Sequence, residues 1–359
     1  MRNLSGFHRA AVILLSAAAV ASLCRAVETH VWQQDEVDEF NRGTVKNLAI
    51  RSDGHVTLSP AFRELADPGV PYLWSMVQDA QGTIYCAGGA PTGSTAKIIA
   101  ISRDGKSRTL GTLNALEIHA LALDKKGRLY AATSPDSKIY RIEANGKTDL
   151  FFDPHAKYVW ALAFDNADNL YVATGDQGVV YRVSPDGHGA EFLRTEESHA
   201  RSMIIDSKGD LIIGTEPGGT VLRVHPNGKS FVLFQTGKRE VTAVAEHDGY
   251  IYAAAAAGKA PVLALPVAPT TPAAGTGTAA ATAPNRPVTP PQTAAVPQTA
   301  GALAAALAAA ATAGGSDFYR IGPDGSAEKI WNSTTSLIYA IGFDANGRPL
   351  LGTGNKGIV

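Results

Sequence analysis

Cysteine is scarce in this chain. Its 359 residues include two cysteines, Cys24 and Cys86. Cys24 falls in a segment that we expect to be removed, which leaves Cys86 alone and excludes an intrachain disulfide. Cys86 lies in the apolar strand pattern Ile84-Tyr85-Cys86-Ala87. A thiol in that setting is typical of a buried small apolar residue, and we prefer this interpretation to a catalytic thiol.

An excess of charge of either sign is also lacking. Lys and Arg number 32 against 33 Asp and Glu, and the formal net charge is −1. Broad electrostatic attraction to nucleic acid or to an anionic membrane needs a strong positive excess. We therefore expect no nucleic-acid partner.

The usual enzyme signatures are missing. The sequence has no Gly-x-Ser-x-Gly elbow, no phosphate-binding loop and no His-Glu-x-x-His helix motif. Its histidines are scattered without a shared metal-ligand spacing, and only His119 and His199 lie near the start of a predicted strand. We therefore assign no catalytic residues, and the sequence leans against an enzyme.

A hydrophobic run long enough to span a bilayer comfortably is absent from the N-terminus. The apolar stretch Ala10–Leu23 follows a basic start and precedes Cys24-Arg25-Ala26, which fits a small-x-small cleavage site. This pattern predicts a signal peptide over residues 1–26, hence a periplasmic or secreted protein with no membrane span after cleavage. Cleavage at Ala21, lipidation at Cys24 and an uncleaved anchor are the alternatives, and the bulky Leu23 disfavours lipidation.

What the sequence does contain is a repeat. Its turn glycines stand 41 residues apart, at Gly105, Gly146, Gly187 and Gly228. Each copy predicts four short strands; in one copy these are Trp160–Phe164, Leu170–Thr174, Val179–Val183 and Ala190–Arg194. A tight turn separates the first two, with an Asp that bonds backbone N–H groups and a residue three positions later at positive φ, and an Asp-Gly or Asn-Gly hairpin precedes the fourth.

Such small sheets are apolar on both faces and must be covered by neighbours. Radial stacking around an axis covers them, whereas a linear solenoid would need capping units that the sequence lacks. The repeat therefore predicts an all-β chain: a β-propeller of four-stranded blades over residues 27–359.

Six first strands are recognisable, beginning near Leu73, Ile118, Val159, Ala200, Val241 and Ile338. Residues 44–60 resemble an isolated half-blade of the kind that closes a propeller ring. The chain ends at Gly357-Ile358-Val359, where comparison with Val179–Val183 predicts the middle of a third strand. We therefore expect a propeller that is incomplete at its C-terminus and seven-bladed when complete.

One blade is interrupted. Residues 256–315 are rich in Ala, Pro and Thr and contain two charged residues before Gly315, Lys259 and Arg286. The pattern Asp317-Phe318-Tyr319-Arg320-Ile321 then resumes the blade. We expect a disordered insertion between second and third strands, which we interpret as an inert spacer.

The candidate site is a column of residues at the head of the first strands, which we call the axis column. Its chemistry varies from blade to blade while the surrounding repeat stays regular: Trp74, His119, Trp160, Arg201, Thr242 and Tyr339. Aromatic rings and an arginine near one channel mouth suit a protein, peptide or glycan ligand. The alternative interpretation is that these side chains plug the channel and pack between blades.

A metal site is the other candidate at this channel mouth. Oxygen-bearing residues occur in the loops between second and third strands: Asp136, Asp176, Glu216 and Asn355. They could hold calcium, although Asp and Asn are common turn residues and no single loop has calcium-ligand spacing. We assign no cofactor, and calcium is the alternative.

An arginine repeated on the third strands (Arg141, Arg182, Arg223 and Arg320) is interpreted as a structural ladder.

The text Asp-x-x-Gly-x-Leu-Tyr-x-Ala-Thr at Asp124–Thr133 resembles exported bacterial propellers of the NHL-repeat, WD-repeat-like and gluconolactonase-like families. The resemblance covers residues 44–255 and 317–359 and concerns the turn and strand scaffold. It implies either a non-catalytic binding module or a gluconolactonase-like or lyase-like enzyme with a divalent metal on the axis. The enzyme families would place Glu, Asn and Asp on the axis, whereas here only Glu117 and Glu240 stand nearby, so we rank binding first.

Overall fold

A computed structural model describes Ala11 and residues 46–50, 55–59, 63–89, 95–259 and 314–354. From Lys46 onward, every regular element in these residues is a β-strand. The predicted signal peptide, most of the predicted insertion, Asn355 and the strand expected at 357–359 lie outside the described residues. In the described part of the chain no helix is long and apolar enough to cross a membrane.

The chain divides into two compact units, residues 1–64 and 65–359. In the first unit, strands β1 (Leu48–Ile50) and β2 (Val56–Leu58) form a two-stranded antiparallel sheet. Ala49 pairs with Thr57 at its centre. The predicted half-blade is therefore a hairpin; its part in closing a ring stays a prediction.

The second unit contains five four-stranded antiparallel sheets and one two-stranded sheet, which we number as blades 1 to 6. Blade 1 comprises β3 (Tyr72–Gln78), β4 (Ile84–Gly89), β5 (Ala96–Ile101) and β6 (Ser107–Leu113), and blade 2 comprises β7 (Glu117–Leu123), β8 (Leu129–Ser134), β9 (Ile139–Ile142) and β10 (Thr148–Phe152). Blade 3 comprises β11 (Tyr158–Phe164), β12 (Leu170–Gly175), β13 (Val179–Val183) and β14 (Gly189–Arg194), and blade 4 comprises β15 (His199–Ile205), β16 (Leu211–Glu216), β17 (Thr220–Val224) and β18 (Ser230–Gln235). Blade 5 comprises β19 (Lys238–His247), β20 (Tyr250–Lys259), β21 (Asp317–Ile321) and β22 (Ala327–Asn332), and blade 6 comprises β23 (Ile338–Phe343) and β24 (Pro349–Thr353). The predicted four-strand repeat is confirmed, and the strand bounds in blade 3 agree within two residues.

A repeated aspartate sets the turn between first and second strands in five of the six blades, and in blade 5 His247 stands at the equivalent position. In blade 2, Asp124 Oδ1 accepts the backbone N–H groups of Lys126 and Arg128, each at 2.9 Å. Gly127, three residues after the aspartate, has φ +73°, a conformation that glycine adopts without strain. Asp79, Asp165, Asp206 and Asp344 make the same pair of contacts. Turn chemistry therefore fixes the register between first and second strands.

The apolar core lies between blades. Ile98 of blade 1 packs in one cluster with Ile118 of blade 2, and Val180 of blade 3 packs with Ala200 of blade 4; all four are fully buried. The same arrangement recurs between blades 2 and 3, 4 and 5, and 5 and 6. Blades 2 to 5 therefore bury both faces against neighbouring blades, which is the packing that the repeat predicts, and the other face of blade 1 packs against Leu65, Ala66 and Val70.

Blade 5 carries the interruption. Its second strand β20 continues to Lys259, so the last four residues of β20 fall in the segment that composition assigns to the insertion. Strand β21 then pairs with β20, with Ile251 opposite Ile321. The long connection accordingly leaves from a second strand and returns to a third strand of the same sheet.

Candidate functional site

Every first strand is interrupted by a β-bulge at its axis-column residue. In blade 3, Val159 pairs with Thr174 and Ala161 pairs with Ala173, so Trp160 between them has no cross-strand partner. The skipped residues in the other blades are Trp74, His119, Arg201, Thr242 and Tyr339. A bulge turns its extra side chain away from the direction that a regular strand would give it, and bulges occur often beside active sites.

The six axis-column residues line one cavity in the second unit. Its volume is about 430 Å³, and each first strand contributes its bulge residue and the two residues that follow. Hydroxyl groups link neighbouring first strands: Ser75 Oγ donates to Ile118 O at 3.3 Å, and Ser202 Oγ donates to Val241 O at 3.0 Å. The structure thus gathers side chains that are far apart in the sequence at one channel.

The two Trp and one Tyr side chains of the axis column pack against glycines at the ends of second strands. A Cβ atom built on Gly175 would lie 2.4 Å from Trp160 Nε1, and one built on Gly354 would lie 2.5 Å from Cε2 of Tyr339. Trp74 is 3.0 Å from the corresponding point on Gly89. Each glycine stands 15 residues after its ring, whereas Ser134, Glu216 and Ala257 occupy this position in the blades whose axis residue is not aromatic. Glycine therefore leaves room for each ring at the end of the second strand.

Trp160 is the most connected residue of the channel. Its indole Nε1 donates to His199 Nδ1 at 3.1 Å, and Tyr158 stacks on its ring with centroids 5.1 Å apart. The Arg201 guanidinium carbon lies 4.4 Å from the Trp160 ring centroid, a cation–π distance. Trp160 is thus engaged by the protein and positions Arg201.

Two acid–base pairs flank this tryptophan. Glu117 Oε2 lies 3.0 Å from His119 Nε2, and Glu240 Oε1 accepts from Arg201 Nε at 2.7 Å. Burial lowers the pKa of His119; Glu117 opposes this effect and Arg201 reinforces it. The terminal nitrogens of Arg201 make no hydrogen bond to the residues that the structure describes, so they are available to a ligand.

Thr242 differs from the rest of the axis column. It is buried, and its hydroxyl donates to Ile338 O at 2.6 Å. This bond joins the first strands of blades 5 and 6 and uses the only proton that the side chain can donate. Of the two interpretations of the column, packing between blades describes this residue.

The three candidate calcium ligands that the structure describes do not form a group. Asp136 accepts from the Thr133 hydroxyl at 2.5 Å, and Glu216 lies 3.4 Å from Arg239 Nε. Asp176 is exposed, and Asn355 is outside the described residues. Among the residues described, no three His, Cys, Asp or Glu side chains are placed to hold a metal ion.

Sequence inspection missed two elements of this site. Tyr158 stacks on Trp160, but its sequence context is that of an ordinary strand residue. The β-bulges have no recognisable pattern in the strand sequences. The glycine spacing was the available signal, because only the three blades with an aromatic axis residue have a glycine 15 positions later.

Comparison with known proteins adds the fold. No family model matches the chain, and no curated protein matches its sequence. A streptogramin B lyase structure is similar, with TM-score 0.54 and 11% identity over 85% of this chain and 83% of that one. A catalytically inactive virginiamycin B lyase from Staphylococcus aureus with quinupristin is similar at TM-score 0.53 and 12% identity, over 85% of this chain and 84% of that one. The fold is that of a β-propeller. At these identities the likeness shows the fold alone, because one fold hosts many unrelated functions.

Proposed function

We propose that this propeller is an exported, non-catalytic binding module that recognises a protein, peptide or glycan at the channel mouth. The convergence of all six axis-column residues on one cavity is the observation that carries the proposal. Export rests on the signal peptide predicted over residues 1–26.

The surfaces open to a ligand are the rings at the two ends of the blade series and one cation. Tyr339 is 52% exposed, and Trp74, in the lining of the same cavity, is half-buried. Arg201 adds terminal N–H groups held in place by Trp160 and Glu240. Aromatic faces beside a fixed fork of donors suit the apolar face and hydroxyls of a sugar, or the side chains and carbonyls of an extended peptide.

The alternative is a gluconolactonase-like or lyase-like enzyme with a divalent metal on the axis. Such a site needs several oxygen or nitrogen ligands directed at one point. Here the two carboxylates nearest the axis column are paired within the protein, Glu117 with His119 and Glu240 with Arg201. These pairings support recognition ahead of metal-dependent catalysis.

The test is a binding measurement on the purified mature chain. Glycan and peptide arrays would identify a ligand, whose affinity would then be measured by calorimetry for the native protein and for Trp74→Ala, Tyr339→Ala and Arg201→Gln. Each variant should weaken binding by about tenfold or more, since buried contact residues carry most of the energy of an interface. Phe231→Ala, which removes an exposed ring from the fourth strand β18, is the matched control.

Unchanged affinity in all three channel variants would show that the axis column is packing. Stoichiometric calcium or zinc retained through dialysis, together with turnover of a lactone, would favour the enzyme instead.

A further inference from the structure

A second site is indicated on the outer part of blade 3, away from the axis column. The third strands carry a repeated arginine, and three of the four are paired with carboxylates. Arg141 lies 3.0 Å from Glu143, Arg223 lies 3.5 Å from Asp206, and Arg320 lies 2.9 Å from Glu328. The side chain of Arg182 makes no ion pair or hydrogen bond within the described residues; its guanidinium carbon lies 6.0 Å from the Tyr171 ring centroid.

The repeat shows why Arg182 is unpaired. Forty-one residues separate equivalent positions in blades 2, 3 and 4. The acids that pair with Arg141 are Glu143 and Asp149, and their equivalents in blade 3 are Ser184 and Ala190. Asp210, which lies 3.9 Å from Arg223, is replaced by Asn169. Three carboxylates that neutralise the arginines of the adjacent blades are therefore neutral residues here.

The remaining nearby acids are already satisfied. Asp165 Oδ2 accepts from Asn169 Nδ2 at 2.8 Å, and its Oδ1 accepts backbone N–H groups of its own turn. Asp186 is held by the Ser184 hydroxyl and lies 3.0 Å from His188 Nδ1; these contacts lower the pKa of Asp186 to about 2. Neither carboxylate forms an ion pair with Arg182.

A cavity of about 350 Å³ opens at the same place. Its lining consists of Asn169, Arg182, Ser184, His188, Gly189 and Ala190. The three neutral replacements and the unpaired arginine are thus all in its wall, and Asn169 retains a second amide hydrogen to donate. The unpaired arginine and the space left by the shorter side chains lie at the same place and indicate the same ligand chemistry.

We infer that this cavity binds a small oxyanion, a carboxylate or phosphate group, through the guanidinium of Arg182. The planar fork of an arginine matches such groups with two parallel N–H···O bonds. Ala190 leaves open the position from which Asp149 reaches Arg141 at 3.7 Å in blade 2. The oxyanion takes the place of that missing carboxylate.

The experiment is an NMR titration of the full chain with inorganic phosphate and, separately, with acetate. It follows the backbone N–H signals of Gly189 and Ala190, which line the cavity in every variant, and the Arg182 side-chain Nε–H signal where that arginine is present. The native protein should bind at least one probe with a saturable shift, and the stronger of the two identifies the class of ligand. Arg182→Gln should weaken binding by about tenfold or more. Ala190→Asp, which restores the acid found in blade 2, should have a similar effect while leaving the protein folded.

Arg141→Gln is the matched control, because it removes an equivalent arginine whose acids are present. Binding that persists in Arg182→Gln or Ala190→Asp, or that is lost equally in Arg141→Gln, would overturn the inference. So would a native protein that shifts with neither probe. Thermal unfolding of each variant separates loss of the site from loss of the fold, and Ala190→Asp adds a pairing and should not lower Tm.

Discussion

Trp160 and His199 join two blades through one hydrogen bond, from the indole N–H of blade 3 to Nδ1 of the residue that opens blade 4. In this bond the indole N–H donates and His199 Nδ1 accepts, at 3.1 Å. The pair fixes the orientation of the Trp160 ring, on which the Arg201 guanidinium lies. Under the proposed function, recognition at the channel would therefore depend on residues that need not touch the ligand.

Gly175→Ala should disturb this arrangement. The new methyl group would lie 2.4 Å from Trp160 Nε1 and 2.5 Å from His199 Nδ1, so the indole must move. Overpacking of this kind costs about 1–3 kcal/mol of unfolding free energy. Urea unfolding measures the loss, and the Trp160 indole N–H signal in an NMR spectrum reports the displaced ring.

Gly342→Ala is the control for this change, because nothing lies within 4 Å of a Cβ atom at Gly342. Equal destabilisation by the two substitutions would show that the cost arises from the strand backbone rather than from the tryptophan.

Thr242→Val should lower stability and leave ligand affinity unchanged. Valine keeps the shape of the side chain but removes the donor to Ile338 O, which leaves a buried carbonyl without that bond. We expect a loss of about 1–2 kcal/mol in unfolding free energy. Thr242→Ser retains the hydroxyl and should recover most of it; a serine variant as unstable as the valine variant would contradict this assignment.

His119 should make stability depend on pH. Burial lowers its pKa in the folded protein below the ordinary value of 6.5, so the unfolded chain binds more protons just below that pH. The contribution to stability is complete above pH 6.5 and is lost as the pH falls from there toward the folded pKa. Urea unfolding of native protein and His119→Gln between pH 7.5 and pH 5, ~0.5 unit apart, isolates this dependence by difference.

Glu117→Gln supplies the companion measurement. Glu117 raises the pKa of His119, so its removal should lower that pKa further and extend the loss of stability to lower pH. A pH dependence identical in the native protein and the His119 variant would contradict the interpretation.

Cys86 should react slowly with thiol reagents until the protein opens. Its side chain is 2% exposed, and burial raises the pKa of the thiol, which lowers the fraction of reactive thiolate. Maleimide labelling followed by mass spectrometry should be slow in native buffer and fast in urea. Similar rates in both would show an accessible thiol and exclude the buried assignment.

The blade boundaries could be predicted from the sequence because short turns with a defined pattern of Asp and Gly set them. Asp124 and Gly127 specify one such turn, and the same pair of roles recurs through the repeat, so the strands between turns could be placed within a few residues. Cys86 was predicted to be buried, and it is. These features depend on residues that interact within a few positions of each other.

The contacts of the axis column could not be predicted in the same way. A bulge depends on how two strands pair, and Trp160 would fit a regular strand as well as an interrupted one. Thr242 shows the consequence: the column places it with the ligand candidates, whereas its hydroxyl bonds to a strand 96 residues later. Partners at that separation are fixed by blade packing, which the repeat indicates only in outline.

The bulges also separate two requirements that usually compete in a strand: keeping the sheet in register and varying the side chain that lines the channel. A residue without a cross-strand partner can be exchanged while the pairs on either side, such as Val159 with Thr174 and Ala161 with Ala173, stay in register. Where the axis residue also lacks an essential bond to the next blade, substitutions there alter the channel lining at little expense to folding. A library randomised at Trp74, His119 and Tyr339 should therefore yield mostly folded proteins with different channel linings, which makes this repeat a starting point for engineered recognition.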